Sequence, residues 1–528
     1  MTRPEGGRAV RGGTMARWAG LWGSILGGWA LQALAQAPAA PSPAATPDEA
    51  QLTPARAMVM LDHQVLRVPG DEDIDLTGFH VYHQVNDWLS LGAGVYAPLL
   101  KGQYGGFTAF DVGAHLQQRL TERIFVTAGL AGGGGGGGRS IEQSKVLSGT
   151  GGFYKAYAGL GYDFGPVAVG VNLAKMKFTH SAIDSTQANV FLEIPYSYLV
   201  APFSRHGQGL SATDARLAAE DSSENMLTLV LDNFKQIRPE GAFKGTLGVA
   251  DLQYAHFVAP DTYWYAGLGV GYYGLPLYNQ VLGGVGQRLR VAPRVNLYAQ
   301  LGVGSGGYAP EKINTDSGLL VYPKVAAEYA LTPTLGLSLS AGYLAAPKGS
   351  SRNVTYGLAL THHLRSGAAA TGWGDAGAAS HYQAFRVSLF QQTEFHVRYR
   401  DQDRGHLQMV GTQVDAMLDE RWFIPVQAAV AYSAYLGYPG YGELLAGLGL
   451  QTRAAPGERL QAFGQLMAGT NVHGPAAKAS AGLRYALSDR LALNLNAGRT
   501  EARSSSGQRF GATSLGLGVD YLFAVPVR

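Results

Sequence analysis

Three observations predict an all-β fold, a transmembrane antiparallel up-and-down β-barrel of about 24 strands. Period-two hydrophobic alternation runs through most of the chain, short turns alternate with longer loops, and one eight-strand pattern occurs three times. The composition agrees. The 528 residues include 73 Gly and 28 Tyr, with only 15% charged side chains. Soluble domains average about 25% charged residues and about 7% Gly. The mean hydropathy of −0.02 is well below that of a helical membrane protein, and after the N-terminal segment there is no run of about 18 uninterrupted apolar residues. Strands with one apolar and one polar face give that balance.

The N-terminus reads as a secretory signal. Arg17 precedes an apolar stretch from Trp18 to Leu34, and Ala33-Leu34-Ala35 has the small-x-small form of a cleavage site. Residues 1–35 are therefore expected to be a signal peptide, and 36–54 an Ala/Pro-rich tether. Cleavage would remove Arg3, Arg8, Arg11, Arg17 and Glu5; from 41 basic and 38 acidic residues, 37 of each remain. A neutral mature chain gives no reason to expect a nucleic-acid partner. Cysteine is absent, which excludes a disulfide framework, a thiolate nucleophile and a zinc-cysteine site, and suits an oxidising envelope compartment.

From about Ala55 onward, segments of about 10–14 residues have two unlike faces. In the last one, Leu515, Leu517, Val519, Tyr521 and Phe523 oppose Ser514, Gly516, Gly518 and Asp520. Val169, Val171 and Leu173 likewise alternate with Gly170, Asn172 and Ala174, and Leu491, Leu493 and Leu495 with Ala492, Asn494 and Asn496. Every second connection is a tight turn, such as Val85-Asn86-Asp87, Leu120-Thr121-Glu122-Arg123 or Leu487-Ser488-Asp489-Arg490. The connections between are longer: Gly132 to Gly152, His180 to Gln187, Pro310 to Ser317, Thr500 to Phe510. In bacterial membrane barrels the short turns are periplasmic, so both chain termini are expected on that side.

Self-similarity divides the chain. Tyr162, Tyr329 and Tyr485 align, each followed by a short turn and an aliphatic strand. Upstream, Gln118-Arg119-Leu120, Gln287-Arg288-Leu289 and Gln451-Thr452-Arg453 occupy matching places, and the turns at Asp87, Asp261 and Asp419 each precede a Trp. The expected repeats are 55–203, 226–365 and 380–528. The joins at 204–225 and 366–379 look like linkers; Ser211 to Glu220 has helical character but too few residues to be stable alone. Across almost all of its mature length the chain resembles Gram-negative outer-membrane β-barrel proteins as a class. Gly518, Tyr521 and Phe523 resemble the C-terminal signal such proteins present to their assembly machinery, although Ala524 to Arg528 extend beyond it. The resemblance implies an outer-membrane location, with membrane lipid, lipopolysaccharide and the assembly machinery as partners.

Candidate chemistry is sparse. The run Gly132 to Gly138 formally matches Gly-x-Gly-x-x-Gly, but lacks the following helix and Lys-Ser/Thr of a phosphate loop, and reads as a strand end and surface loop. His80 and His83 have odd spacing and fall on opposite faces, as do the adjacent His362 and His363. No catalytic residue, cofactor site or metal site is expected, and enzymatic activity, such as lipid modification, ranks last among the functions considered. Asp111, His115, Glu328, Arg484 and Asp520 are the lumen-facing candidates, as a polar plug or a selectivity lining. Trp88, Trp264, Trp422, Tyr521 and Phe523 fit interfacial aromatic girdles.

Two architectures satisfy these patterns. Three small barrels would form a non-conducting scaffold or anchor. One barrel of about 24 strands would be a transport or export pore for an unidentified substrate, needing a periplasmic or lipoprotein plug, because a barrel that wide encloses a lumen. The inward rows of strands 3 to 6 are mostly Ala, Ser and Gly, which suggests poor filling of a narrow interior. On that ground the sequence favours the single large barrel.

Overall fold

The computed structural model describes residues 51–138, 147–220, 224–276, 278–307, 312–332, 334–365, 380–437, 439–453, 458–504 and 506–527. The expected signal peptide, most of the tether and the join 366–379 lie outside them. The described strands make three closed antiparallel barrels, each with an eight-strand wall. The first comprises β1 (Thr53–Leu66), β2 (Ile74–Gln84), β3 (Leu89–Ala97), β4 (Thr108–Arg119), β5 (Ile124–Gly136), β6 (Gly152–Asp163), β7 (Ala168–Phe178) and β8 (Asp184–Val200). The second comprises β9 (Glu224–Gln236), β10 (Thr246–Ala259), β11 (Thr262–Tyr273), β12 (Asn279–Ala292), β13 (Val295–Gly307), β14 (Leu319–Ala330), β15 (Leu335–Ala345) and β16 (Arg352–Arg365). In the third, β17 (His381–Tyr399) carries the two-residue β18 (Gln402–Asp403) as a hairpin extension. Its wall continues through β19 (Leu407–Met417), β20 (Trp422–Ala431), β21 (Gly442–Gln451), β22 (Leu460–Asn471), β23 (Gly474–Ala486), β24 (Leu491–Arg503) and β25 (Arg509–Val527).

Closure is explicit in the register. Met60 pairs Glu193 between β1 and β8, Leu360 pairs Leu229 between β16 and β9, and Ser388 pairs Asp520 between β17 and β25. The single large barrel favoured from the sequence is therefore not formed. The Gly-rich inward rows misled for a physical reason: each such glycine is a socket for a bulky neighbour and not the lining of a wide lumen. Gly94 is paired with His80, Gly129 with Tyr157 and Gly161 with Phe125, Gly286 with Tyr263, and Gly449 with Phe423. At every one of these positions a Cβ would collide with the partner's ring. The ring lies over the glycine and fills the space that a second side chain would need.

Alternation places the apolar rows outside. On β7, Val169, Val171 and Leu173 are 44%, 57% and 62% exposed, while Ala168, Asn172 and Ala174 are buried. On β25, Leu515 and Leu517 are exposed while Ser514 and Asp520 are buried. Among the described residues no helix is long and apolar enough to cross a membrane, which leaves crossing by strands open. The Gly run is largely strand and not loop: β5 continues to Gly136.

The three barrels belong to one compact unit, Asp48–Arg528, and each touches the other two. Where loops connect the strands, Gly134 of β5 faces outward against the Ala431 backbone, where any side chain would clash. Asn279 donates to the Gly106 carbonyl at 3.1 Å, and Thr470 donates to the Gly271 carbonyl at 3.4 Å. At the opposite, tight-turn end, Ala201 and Ala524 form a reciprocal backbone pair.

The join after β8 is docked. A 3-10 turn at Phe203–Arg205 and the helix α1 (Ala212–Glu220) follow, and Phe203, Leu210, Leu217 and Ala218 pack with Tyr382, Met417, Phe423 and Phe463 at the turn end of the third barrel. Tertiary contact is what supports so short a helix. Ser211 Oγ caps it by accepting from the Asp214 amide at 3.0 Å.

Candidate functional site

Each barrel interior is packed with buried side chains. Apolar clusters close the loop ends: Leu66, Ile74, Tyr104, Phe107, Leu147 and Phe178 in the first, Leu247, Leu275, Tyr278, Ile313 and Leu344 in the second, and Leu407, Tyr435, Tyr441 and Phe510 in the third. Below them lie buried polar networks, where ionisable groups of the described residues concentrate away from solvent.

In the first barrel Lys155 of β6 makes an ion pair with Asp62 of β1 and bonds Tyr96 Oη at 2.8 Å. His80 Nε2 lies 3.1 Å from Asp111. His115 Nδ1 lies 2.7 Å from Tyr157 Oη, with Glu193 3.5 Å from its other nitrogen. In the second, Lys324 of β14 reaches Asp232 of β9 at 3.1 Å, and Tyr322 donates to the same carboxylate at 2.9 Å. Nearer the turn end, His363 bridges Glu224 at 3.0 Å and Glu328 at 2.9 Å, and Arg288 holds both Glu224 oxygens at 2.9 Å. In the third, Lys478 of β23 meets Glu443 at 3.0 Å and Gln392 of β17 at 2.8 Å. Arg386 pairs Asp415 at 2.7 Å, and Arg484 pairs Asp520 at 2.7 Å.

The lumen-facing candidates Asp111, His115, Glu328, Arg484 and Asp520 all point into barrel interiors, each at most 3% exposed. They fall in three separate networks, and each is bonded to a neighbouring side chain. The third barrel retains a cavity of about 20 Å³ beside Ser388, Gln392, Gln413, Gln465 and Arg484, room for about one water. His80 and His363 are inward and buried, whereas His83 and His362 face outward. Among the described residues no group of three or more His, Asp and Glu is arranged to hold a metal ion.

Sequence reasoning missed the lysines. Lys155, Lys324 and Lys478 occupy the sixth strand of their respective barrels. The signal lay in the repeat alignment: Lys155 and Lys478 stand seven residues before Tyr162 and Tyr485, and Lys324 stands five before Tyr329. Equal parity puts all three on the inward face, and buried lysine needs a carboxylate opposite.

The outward aromatics divide into two groups. Trp88 and Trp422 are exposed at the turn end. Tyr521 and Phe523 instead face another barrel, with Tyr521 4.3 Å from the His83 ring and Phe523 6.1 Å from the Tyr198 ring. Trp264 packs on Tyr254 and His256, and His256 meets Tyr196 of the first barrel at 6.3 Å. The three barrels are thus joined near their turn ends by rings.

Outside the strands, Asp214 of α1 ties three segments. It accepts from the Gln51 and Leu52 amides at 3.0 Å and from the Tyr382 hydroxyl. Burial alone would raise its pKa; the bonds from Tyr382, Leu52, Gln51 and Ser211 outweigh that and hold it below the usual 3.8.

Among solved structures, the chain is similar to the ferripyoverdine receptor of the outer membrane of Pseudomonas aeruginosa, at 11% identity over 89% of this chain and 72% of that one, with a TM-score of 0.28. It is similar to the outer membrane protein Ail of Yersinia pestis at 12% identity, over 27% of this chain and 100% of that one, TM-score 0.20. A de novo designed transmembrane β-barrel aligns at 18% identity over 27% of this chain and 95% of that one, TM-score 0.19. No family model matches the chain, and no curated protein matches it.

Proposed function

We propose that the protein is a non-conducting outer-membrane scaffold of a Gram-negative bacterium, three filled barrels clamped into one rigid anchor with their loops on the cell surface. The observation that carries this reading is the filling of each interior by paired charges and apolar caps. An eight-strand barrel has space for side chains and little else, and here the side chains bond one another. The exposed Leu and Val rows of β7 and β25 suit hydrocarbon, and closed walls leave no unpaired sheet edge in lipid. The tight turns then face the periplasm. Outer-membrane lipid and lipopolysaccharide would be the lateral partners, and the outer-membrane assembly machinery would insert the barrels. A separate plug has no lumen to fill.

The test is single-channel recording of purified protein in a planar bilayer, with folding verified by heat-modifiable gel mobility. The scaffold predicts a silent bilayer. Stable openings in the nanosiemens range would refute it and restore the transport pore favoured on sequence grounds.

A further inference from the structure

At the loop end of the third barrel, β17 and β25 run past the rest of the wall. There β17 turns through Arg400 and Asp401 into β18. Both turn residues have left-handed backbone, φ 55° and 60°. A two-residue hairpin of this kind ordinarily takes Asn-Gly, because side chains with a Cβ are strained there. Across from it Leu436 is also left-handed, φ 52°. Between the two lies an open groove of about 540 Å³, walled by Tyr399, Arg400 and Arg404 on one side and Ala434, Leu436 and Gly437 on the other. Backbone strain gathered around one concavity is a pointer to function.

The Arg400 guanidinium is held in place, and Arg404 lines the same groove. Arg400 Nε donates to Gln508 Oε1 at 2.7 Å, and the same oxygen accepts from the Tyr399 hydroxyl at 2.6 Å. The guanidinium carbon lies 5.3 Å from the Tyr399 ring centre, and that ring stacks on His473 at 4.3 Å. Asp403 faces His396 at 3.7 Å and accepts from the Gly405 amide, Glu501 pairs Arg499, and Asp401, beside Arg400 in the turn, pairs with neither arginine among the described residues. Among the described residues Arg400 and Arg404 form no ion pair.

We propose that this groove binds a phosphate monoester, with Arg400 and Arg404 as its ligands and Tyr399 and Leu436 covering the organic part of the molecule that carries it. Arginine forks match phosphate oxygens with two parallel bonds. With Nε of Arg400 occupied by Gln508, its terminal nitrogens remain as donors. A carboxylate is satisfied by one fork; a phosphoryl dianion has charge and oxygens for two. The site does not depend on whether the barrels conduct.

The test uses the full folded chain in zwitterionic detergent and calorimetric titration with dihexanoyl phosphatidic acid, dihexanoyl phosphatidylcholine and inorganic phosphate. Phosphatidic acid should bind, phosphatidylcholine should not, and Arg400→Gln with Arg404→Gln should weaken binding at least about tenfold, the equivalent of one charge-assisted hydrogen bond. Arg453→Gln, at the opposite end of the barrel, should change nothing, and gel mobility confirms that each variant is folded. Competition by inorganic phosphate would identify a free phosphorylated ligand as sufficient; its failure to compete, with phosphatidic acid still bound, would assign the site to a phosphorylated amphiphile. Equal affinity for both lipids, no binding of phosphatidic acid, or undiminished binding by the double variant would overturn the proposal.

Discussion

Replacing Lys155 by Met removes the one ammonium group that the described residues place in the first barrel's network, while keeping most of its volume. Asp62 then loses its ion pair in a site where it is 1% exposed. What remains is the Tyr96 hydroxyl at 3.5 Å and His80 Nδ1 at 3.7 Å, both beyond good hydrogen-bond geometry. One Asp62 oxygen already has no hydrogen-bond partner, so the rest of the site cannot take over. Removing one partner of a buried pair costs about 3–5 kcal/mol, whereas replacing both with apolar residues of similar volume is often neutral or stabilising. Lys155→Met should therefore destabilise the first barrel by about 3–5 kcal/mol, and adding Asp62→Leu should recover most of the loss. The assay is guanidinium unfolding of reconstituted protein, followed by fluorescence of a single Trp at position 88 with the other tryptophans replaced. If the double variant is as unstable as Lys155→Met alone, the lysine acts through packing and not through the carboxylate, and the account of the interior is wrong.

Three further outcomes follow from the same geometry. Gly449→Val drives a side chain into the Phe423 ring and should cost about 1–3 kcal/mol by overpacking; Phe423→Ala in the same chain should relieve part of it, read by the same unfolding assay. Gly134→Leu clashes with the Ala431 backbone of the third barrel; it should loosen the contact between the first and third barrels while leaving each folded, seen as faster hydrogen exchange confined to that seam. Asp214 has a depressed pKa in the folded state. Its stabilisation is therefore fully present above about 3.8, the ordinary carboxylate value, and is lost as pH falls through the lower folded value. An acid-active protease should cut residues 204–225 faster as pH drops below that point, and in Asp214→Asn the cutting should be fast already at neutral pH.

The fold was legible because its signals are local or periodic. Parity alone put His80 and His83, and likewise His362 and His363, on opposite faces, and it put Asp111, His115, Glu328, Arg484 and Asp520 on inward rows; which histidine of each pair lies inside came from the structure. Barrel number was not legible, because an inward glycine looks the same whether it lines a wide lumen or sits under a ring. The pairs His80 with Gly94 and Tyr157 with Gly129 are set by cross-strand register, which alternation leaves open. Tyr521 and Phe523 illustrate a second ambiguity. An outward aromatic near a strand end suits a lipid interface and a neighbouring barrel equally well, and only tertiary placement separates the two. The docked join after β8 was hidden for a similar reason: Ala-rich sequence describes a linker until Ser211 and Asp214 are seen to cap it and pin it.

The buried charges also bear on why each repeat closes on itself. Lys155 is on the sixth strand and Asp62 on the first; Lys324 and Asp232 repeat that relation, and Lys478 reaches from a sixth strand to Gln392 on a first and Glu443 on a fourth. Adjacent strands lie about 4.8 Å apart, so five strand steps along an unclosed wall separate the first and sixth strands by about 24 Å. No lysine spans that distance. Rolled into eight strands, the same residues face each other across an interior one side chain deep. A buried ion pair adds little stability over an apolar pair, and its best-attested use is to select one arrangement among several. A 24-strand wall would keep every outward Leu and Val row unchanged, so the hydrophobic pattern cannot choose between the two closures. Within each repeat, the pairing of these lysines is what distinguishes them.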